Sequence, residues 1–248
     1  SGNSDLAPDW LWFKARNAAS NHFLFDKVRG ALEKIEADRT VAEATSTGSM
    51  TAFGTDGFSL GDGGSANDIN GVSGTTYVAW GWAAGNSAGS SNSDGSITST
   101  VTANTTAGFS VAKWTGSGAN ATIGHGLGAA PKMILVKNLA DADSWVVYHE
   151  DVGATKGLTL DTTAAASTAS TFFNNTAPTS SVFSVGSGGR TNGSSDGMIA
   201  YCFAEIPGYS SFGSYTGNSS TDGPFVYTGF KPAFIMTKRT DSTSDWTI

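Results

Sequence analysis

The fifteen residues GHGLGAAPKMILVKN, Gly124 to Asn138, decide how the chain is read. The first half looks like a glycine-rich site built around His125. The second half looks like a β-strand entered through Pro131, a residue that suits a strand's first position. That second half returns twice. PDWLWFKARNAASNHFLF begins at Pro8 and PAFIMTKRTDSTSDWTI at Pro232. In all three, the proline leads a largely apolar run and a lysine stands six positions on: Lys14, Lys137 and Lys238. Fourteen positions after the proline stand His22, Trp145 and Trp246. A spacing kept three times is the mark of a repeated module.

Outward from this stretch, GFSLG (57–61) pairs with VFSVG (182–186), YVAWGWA (77–83) with MIAYCFA (198–204), and WTGSG (114–118) with YTGNS (215–219). Aromatic and β-branched strand residues alternate with turn-rich clusters such as GDGGSANDINGVSG and GSGGRTNGSSDG, the pattern of an antiparallel β-sandwich. The fold expectation is therefore all-β: tandem antiparallel β-sandwich repeats, with the third repeat truncated. The first repeat is expected over 1–85, a Ser/Gly/Thr-rich linker over 86–107, the second repeat over 108–208 and the start of a third over 209–248. A third copy of that length leaves unpaired backbone at its edge, so the expectation is that the polypeptide continues or that a neighbouring subunit covers it. The opening SGNS, in place of Met, suits a trimmed chain or a piece of a longer one. Segment 30–44, GALEKIEADRTVAEA, has helix-compatible spacing, but its counterpart at 153–167 is a poor helix. Equivalent repeats share a backbone, so a strand followed by a turn is expected there.

Composition bounds the function. The chain has 248 residues, 32 Gly, 7 Trp, 14 Phe and only 14% charged residues, a β-rich balance large enough to bury a real core. A net charge of -7 with no Lys/Arg stripe argues against nucleic acid as partner. No apolar stretch approaches a membrane span, so no membrane insertion is expected. The single cysteine, Cys202, cannot close an internal disulfide and sits in the apolar run MIAYCFA. It reads as a buried small hydrophobe.

The repeat also tests each chemical candidate. His125 aligns with Val226, whereas Gly128 aligns with Gly229. A catalytic or ligating role needs its residue type kept, but a turn that requires positive φ needs only the glycine. His125 is therefore expected to be structural or at the surface. His22 aligns with two tryptophans, and His149 has no second histidine at metal-ligand spacing. No G-x-S-x-G elbow, phosphate-cradling loop or facing carboxylate pair stands out, so no catalytic residue and no enzyme are expected.

The best metal candidate is the loop GTDGFSLGDGGSANDING, with Asp56, Asp62, Asn67, Asp68 and Asn70. Oxygen ligands crowded into a turn suit Ca²⁺, with Asp56, Asp62 and Asp68 as its carboxylates, although the second copy carries Arg190 and only Asp196 there. A plain solvated loop is the favoured reading, and calcium is the one cofactor considered. Carbohydrate or receptor contacts are expected from loop-tip residues Asp62, Asn67, Asp68, Asn70, Arg190 and Asn192. The Trp pairs of DWLWF and AWGW each point to one side of a strand, as sandwich core or, less favoured, as a sugar-stacking face.

These stretches, with GFSVAKWTGSGANATIGHGLGAAPKMILVKN, WVVYHEDVGATKGLTLDTT, IAYCFAEIPGYSSFGSYTGN and GPFVYTGFKPAFIMTKRTDSTSDW, resemble a repeated module of virion and tail-fibre-like proteins of marine tailed bacteriophages. The resemblance spans essentially the whole chain. It implies a β-sandwich of the lectin-like, concanavalin-type class and a place on the virion exterior, tail or capsid. The implied role is non-enzymatic structure and host adhesion, with further copies of the chain in a homo-oligomer, other virion proteins and a host cell-surface glycan as the partners considered. It carries no established ligand residues. A carbohydrate-binding module of a secreted multidomain protein, or a capsid-decorating protein, is the alternative.

Overall fold

The computed structural model describes residues 6–63 and 68–248. It is built almost entirely from antiparallel strands; the helices among the described residues are two single turns of four residues each. The strands are β1 (Trp10–Ala15), β2 (Phe23–Asp26), β3 (Gly30–Glu36), β4 (Ala44–Thr45), β5 (Met50–Phe53), β6 (Phe58–Leu60) and β7 (Tyr77–Trp82). They continue as β8 (Ser90–Asn92), β9 (Ser99–Asn104), β10 (Phe109–Thr115), β11 (Ala121–Gly124), β12 (Met133–Asn138), β13 (Val146–His149), β14 (Lys156–Thr159) and β15 (Ser167–Thr168). Helix α1 (Ser170–Phe173), β16 (Val182–Val185), α2 (Gly189–Asn192), β17 (Gly197–Phe203), β18 (Thr237–Lys238) and β19 (Trp246–Thr247) complete the order.

One sheet runs β4-β3-β2-β1-β7 and a second runs β15-β14-β13-β12-β17-β10-β9-β8. The first five strands of each are in the same order. β1, β2 and β4 each begin 123 positions before β12, β13 and β15, the separation of Pro8 from Pro131. Segment 30–36 is a strand followed by a turn, because its alternating side chains are needed against β2 rather than on a helix face. Residues 86–107 depart from the expected linker: β8 and β9 lie there and extend the second sheet alongside β10. Thr, Ser and Val in alternation make usable strand even where the composition looks like a spacer.

Strand alternation sorts the core into three layers. On β12, Ile134 and Val136 face one cluster and Leu135 another; on β17, Ala200 and Cys202 face the first, Ile199 and Tyr201 the second. The first cluster lies between the eight-stranded sheet and the β11–β16 ribbon with α1. The second holds Trp10, Trp12, Leu24 and Ile35 of the five-stranded sheet against Leu135, Trp145, Val147, Tyr201 and Phe203 of the eight-stranded one. The third covers the outer face of the five-stranded sheet with Leu11, Phe13, Phe23, Phe25, Met50 and Ile69. The two large sheets therefore share a core rather than forming separate bodies on a linker. Met236 and Trp246 of the last forty residues pack against that same shared core.

Trp10 and Trp12 are buried in the shared core, and Trp80 and Trp82 pack against it half-buried. Trp10 pairs across the ladder with Trp82, and Trp12 with Trp80. Trp10 also stacks on Tyr201 at 4.5 Å and on Phe109 at 5.4 Å, joining the sheets.

Candidate functional site

The lysine six positions after each proline has a definite job. Lys137 is fully buried and its ammonium donates to the carbonyls of Asp143 (2.7 Å), Thr40 (3.1 Å) and Asp141 (3.3 Å). Burial draws its pKa down to about 8, against the pull of Asp143, Asp161 and Asp141. The bond to Thr40 crosses from the second module to the first. Trp145 crosses too, its indole N–H donating to the Glu36 carbonyl at 2.8 Å. Glu43 N–H donates back to the Leu139 carbonyl at 3.0 Å.

The same three bonds recur one module later. Lys238 donates to the Thr163 carbonyl (3.2 Å), Trp246 to the Thr159 carbonyl (2.9 Å), and Ala166 N–H to the Thr240 carbonyl (2.9 Å). Counted from each module's proline, the partners are identical: position 6 to 32 of the preceding module, 14 to 28, and 35 back to 8. On the receiving segment only backbone atoms take part. Its side chains are therefore free to differ, Glu36 against Thr159 and Glu43 against Ala166, while the donors Lys and Trp must be kept. The recurring Lys and Trp are the coupling of one module to the next.

A second polar centre joins the first two modules. Arg29 is buried and ion-pairs with Asp26 and Glu43. Tyr201 donates to Asp26 at 2.7 Å from the second module. Burial opposes the Arg29 charge, but the neighbouring carboxylates outweigh it and raise its pKa, whereas burial raises that of Tyr201. Arg29 and Asp26 carry no counterpart in the second module, where Val152 and His149 stand, so alignment of repeats gave no signal for them.

Three of the expected ligand residues, Asn192, Arg190 and Asp68, are engaged within the fold rather than presented at loop tips. Asn192 is 0% exposed: it accepts from Trp114 Nε1 and Ser117 N and donates to Ser117 Oγ and the Ala119 carbonyl. Arg190 lies over the Phe172 ring at 5.1 Å and donates to the Ser144 and Trp145 carbonyls and to Thr159 Oγ1. Both are framework residues, because a turn that buries polar backbone must supply partners for it. Asp68 is buried and ion-paired to Lys34 at 2.5 Å. Asn70 is exposed, with φ at 67°, and its amide donates to the Gly61 carbonyl. Asp62 is exposed, and Asn67 lies outside the described residues.

The three carboxylates considered for calcium are scattered: Asp56 at the tip of the β5–β6 hairpin, Asp62 beyond β6, and Asp68 engaged by Lys34. Among the described residues no three His, Cys, Asp or Glu side chains gather as a metal site.

His125 is a buried structural histidine, 0% exposed. Its Nδ1 accepts from Leu127 N–H, which leaves the neutral ring's proton on Nε2, 3.2 Å from the Thr179 carbonyl. Burial lowers its pKa and keeps it neutral. Gly128 and Gly229 have φ of 71° and 79°. A Cβ on Gly128 would meet nothing within 4 Å, so backbone conformation and not space selects the glycine. Cys202 is buried with its thiol pKa pushed up to about 12, as an inert core residue. A surface depression of about 310 Å³ is lined by Ser87, Ser90, Asn92, Thr102 and Gly126 among others, with no aromatic residue in its lining.

No characterised protein and no solved structure is detectably similar to this chain. One family model matches it, over residues 2–248, and the chain therefore belongs to the family described as a domain of unknown function, DUF7483.

Proposed function

We propose that the chain is a non-enzymatic component of the exterior of a tailed bacteriophage, in which serially coupled β modules provide a scaffold and exposed loops contact the host surface. The observation that carries this reading is the coupling itself. The side chains kept from module to module, Lys137 with Lys238 and Trp145 with Trp246, are spent on holding modules together. The loops between strands vary in sequence and size, which suits a surface that contacts changing partners. Adhesion by such loops works through many weak contacts multiplied by copy number.

The test is a glycan array of bacterial lipopolysaccharides and capsular polysaccharides, probed with the chain as a monomer and as a streptavidin-linked tetramer. Binding should be feeble for the monomer and at least about a hundredfold stronger for the tetramer. Asp62→Ala, at an exposed loop position, should weaken it. Release of shortened glycan from any bound spot, or absence of tetramer binding to every surface glycan, would refute the adhesive, non-enzymatic reading.

A further inference from the structure

The coupling described above has two sides, a receiving segment at positions 28–35 and a donor face at positions 6, 8 and 14. The first two modules each have their segment occupied by the donor face of the next. Among the described residues, no segment occupies the donor face of the first module, Lys14, Arg16 and His22. Exposure records the difference. Lys137, Leu139 and Trp145 are 0, 6 and 0% exposed, whereas Lys14 and His22 are half-buried and Arg16 is exposed.

The open face keeps its hydrogen-bonding capacity. Lys14 donates to the Ser20 carbonyl at 2.7 Å, the bond that matches Lys137 to Asp143. It lacks the further bond that Lys137 makes to a neighbouring module. His22 replaces the tryptophan but still offers a ring N–H. Its Nδ1 accepts from Trp12 Nε1 at 2.9 Å, so the proton of the neutral imidazole sits on Nε2.

The third module lies where a closed arrangement requires it. It is bonded to the second module by the repeated coupling, yet Phe234 also packs on Trp80 and Trp82 of the first, at 5.7 and 5.5 Å. Met236 and Trp246 join the core that the first two modules share. A head-to-tail interface used repeatedly gives either an open filament or a ring. Contact of the third module with both others is the ring geometry.

We propose that three modules close around this shared core in a pseudo-threefold ring, and that the Lys14–Arg16–His22 face receives the segment at positions 28–35 of a third module. The occupant is defined by its chemistry. It is an extended segment of the kind 159–166, offering a carbonyl to Lys14 and another to His22 and taking the Arg16 carbonyl with an N–H. The inference is independent of any phage or adhesive role.

The experiment extends the full chain after Ile248 with its own residues 148–204, the continuation of the strand that Trp246 begins. Amine acylation of Lys14, read by mass spectrometry, should slow by about tenfold or more in the extended chain. Lys132, at the bend before β12 and ion-paired with Glu150, serves as the unchanged control. The extended chain should remain monomeric and unfold at higher temperature, and Lys14→Met should remove part of that gain. A second extension, residues 25–84 of the first module, carries an independent version of the segment. Unchanged Lys14 reactivity in a folded extended chain overturns the proposal, as does pairing between molecules. Failure of both extensions to become ordered overturns it too, because an open face that fits the segment would template it.

Discussion

His125 shows what a single residue can be asked to report. Its glycine-rich surroundings suggest chemistry, but both ring nitrogens are spent on the backbone of Leu127 and Thr179. A neutral ring satisfies one donor and one acceptor there, and protonation would remove the acceptor. The sign of the resulting pH effect follows. Burial lowers the folded pKa below the ordinary value of 6.5, so between those two values the unfolded chain binds more protons. Stability is then full above 6.5 and falls as pH drops toward the folded value. His125→Gln retains one donor and one acceptor without titrating. Urea midpoints measured from pH 7.5 down to 5 should decline less steeply for the variant than for the parent. They should still decline, because burial also lowers the pKa of His22 and His149. Identical slopes would mean that the His125 proton is not linked to folding.

At the scale of the strand and its following loop, the position-6 lysine separates two kinds of bond. Lys14 closes its own loop through Ser20, while Lys137 closes its loop through Asp143 and also crosses to Thr40. Removing a buried donor costs about 1–3 kcal/mol for each acceptor that water cannot then reach, whereas a half-exposed bond can be replaced by water. Lys137→Met should therefore destabilise by about 2–4 kcal/mol and Lys14→Met by less than about 1 kcal/mol, as read from urea unfolding. Equal losses would show that the inter-module bond carries no weight. The strands on which these residues sit were legible in the sequence: Pro, an apolar run and Lys at fixed spacing describe β1, β12 and the β18 region alike. Positive φ at Gly128 and Gly229 was legible for the same reason, since the repeat kept the glycine and discarded the histidine. Asn192 and Arg190 were misplaced at loop tips because polarity and glycine context say nothing about which way a side chain turns. β8 and β9 were missed because Ser and Thr serve spacers and sheet edges equally well.

For the molecule as a whole, the shared core decides how the parts behave together. Repeats joined by a flexible linker would each unfold at their own stability, but here Trp10 stacks on Tyr201 and Leu135 packs in the same cluster as Trp12 and Leu24. Apolar area buried between the sheets is lost to both when either one opens. The buried Arg29–Asp26–Tyr201 centre strengthens this dependence, because separation of the sheets would strip the Asp26 carboxylate of its Tyr201 donor. The chain should accordingly unfold in one transition, with tryptophan fluorescence and far-ultraviolet circular dichroism giving coincident curves. Leu135→Ala, a cavity in the second module costing about 2–5 kcal/mol, should lower the hydrogen-exchange protection of β1 and β2 in the first module as much as that of β12. Had the variant loosened β12 alone, with β1 and β2 unchanged, the two sheets would be independent folding units. The shared cluster would then be contact without coupling.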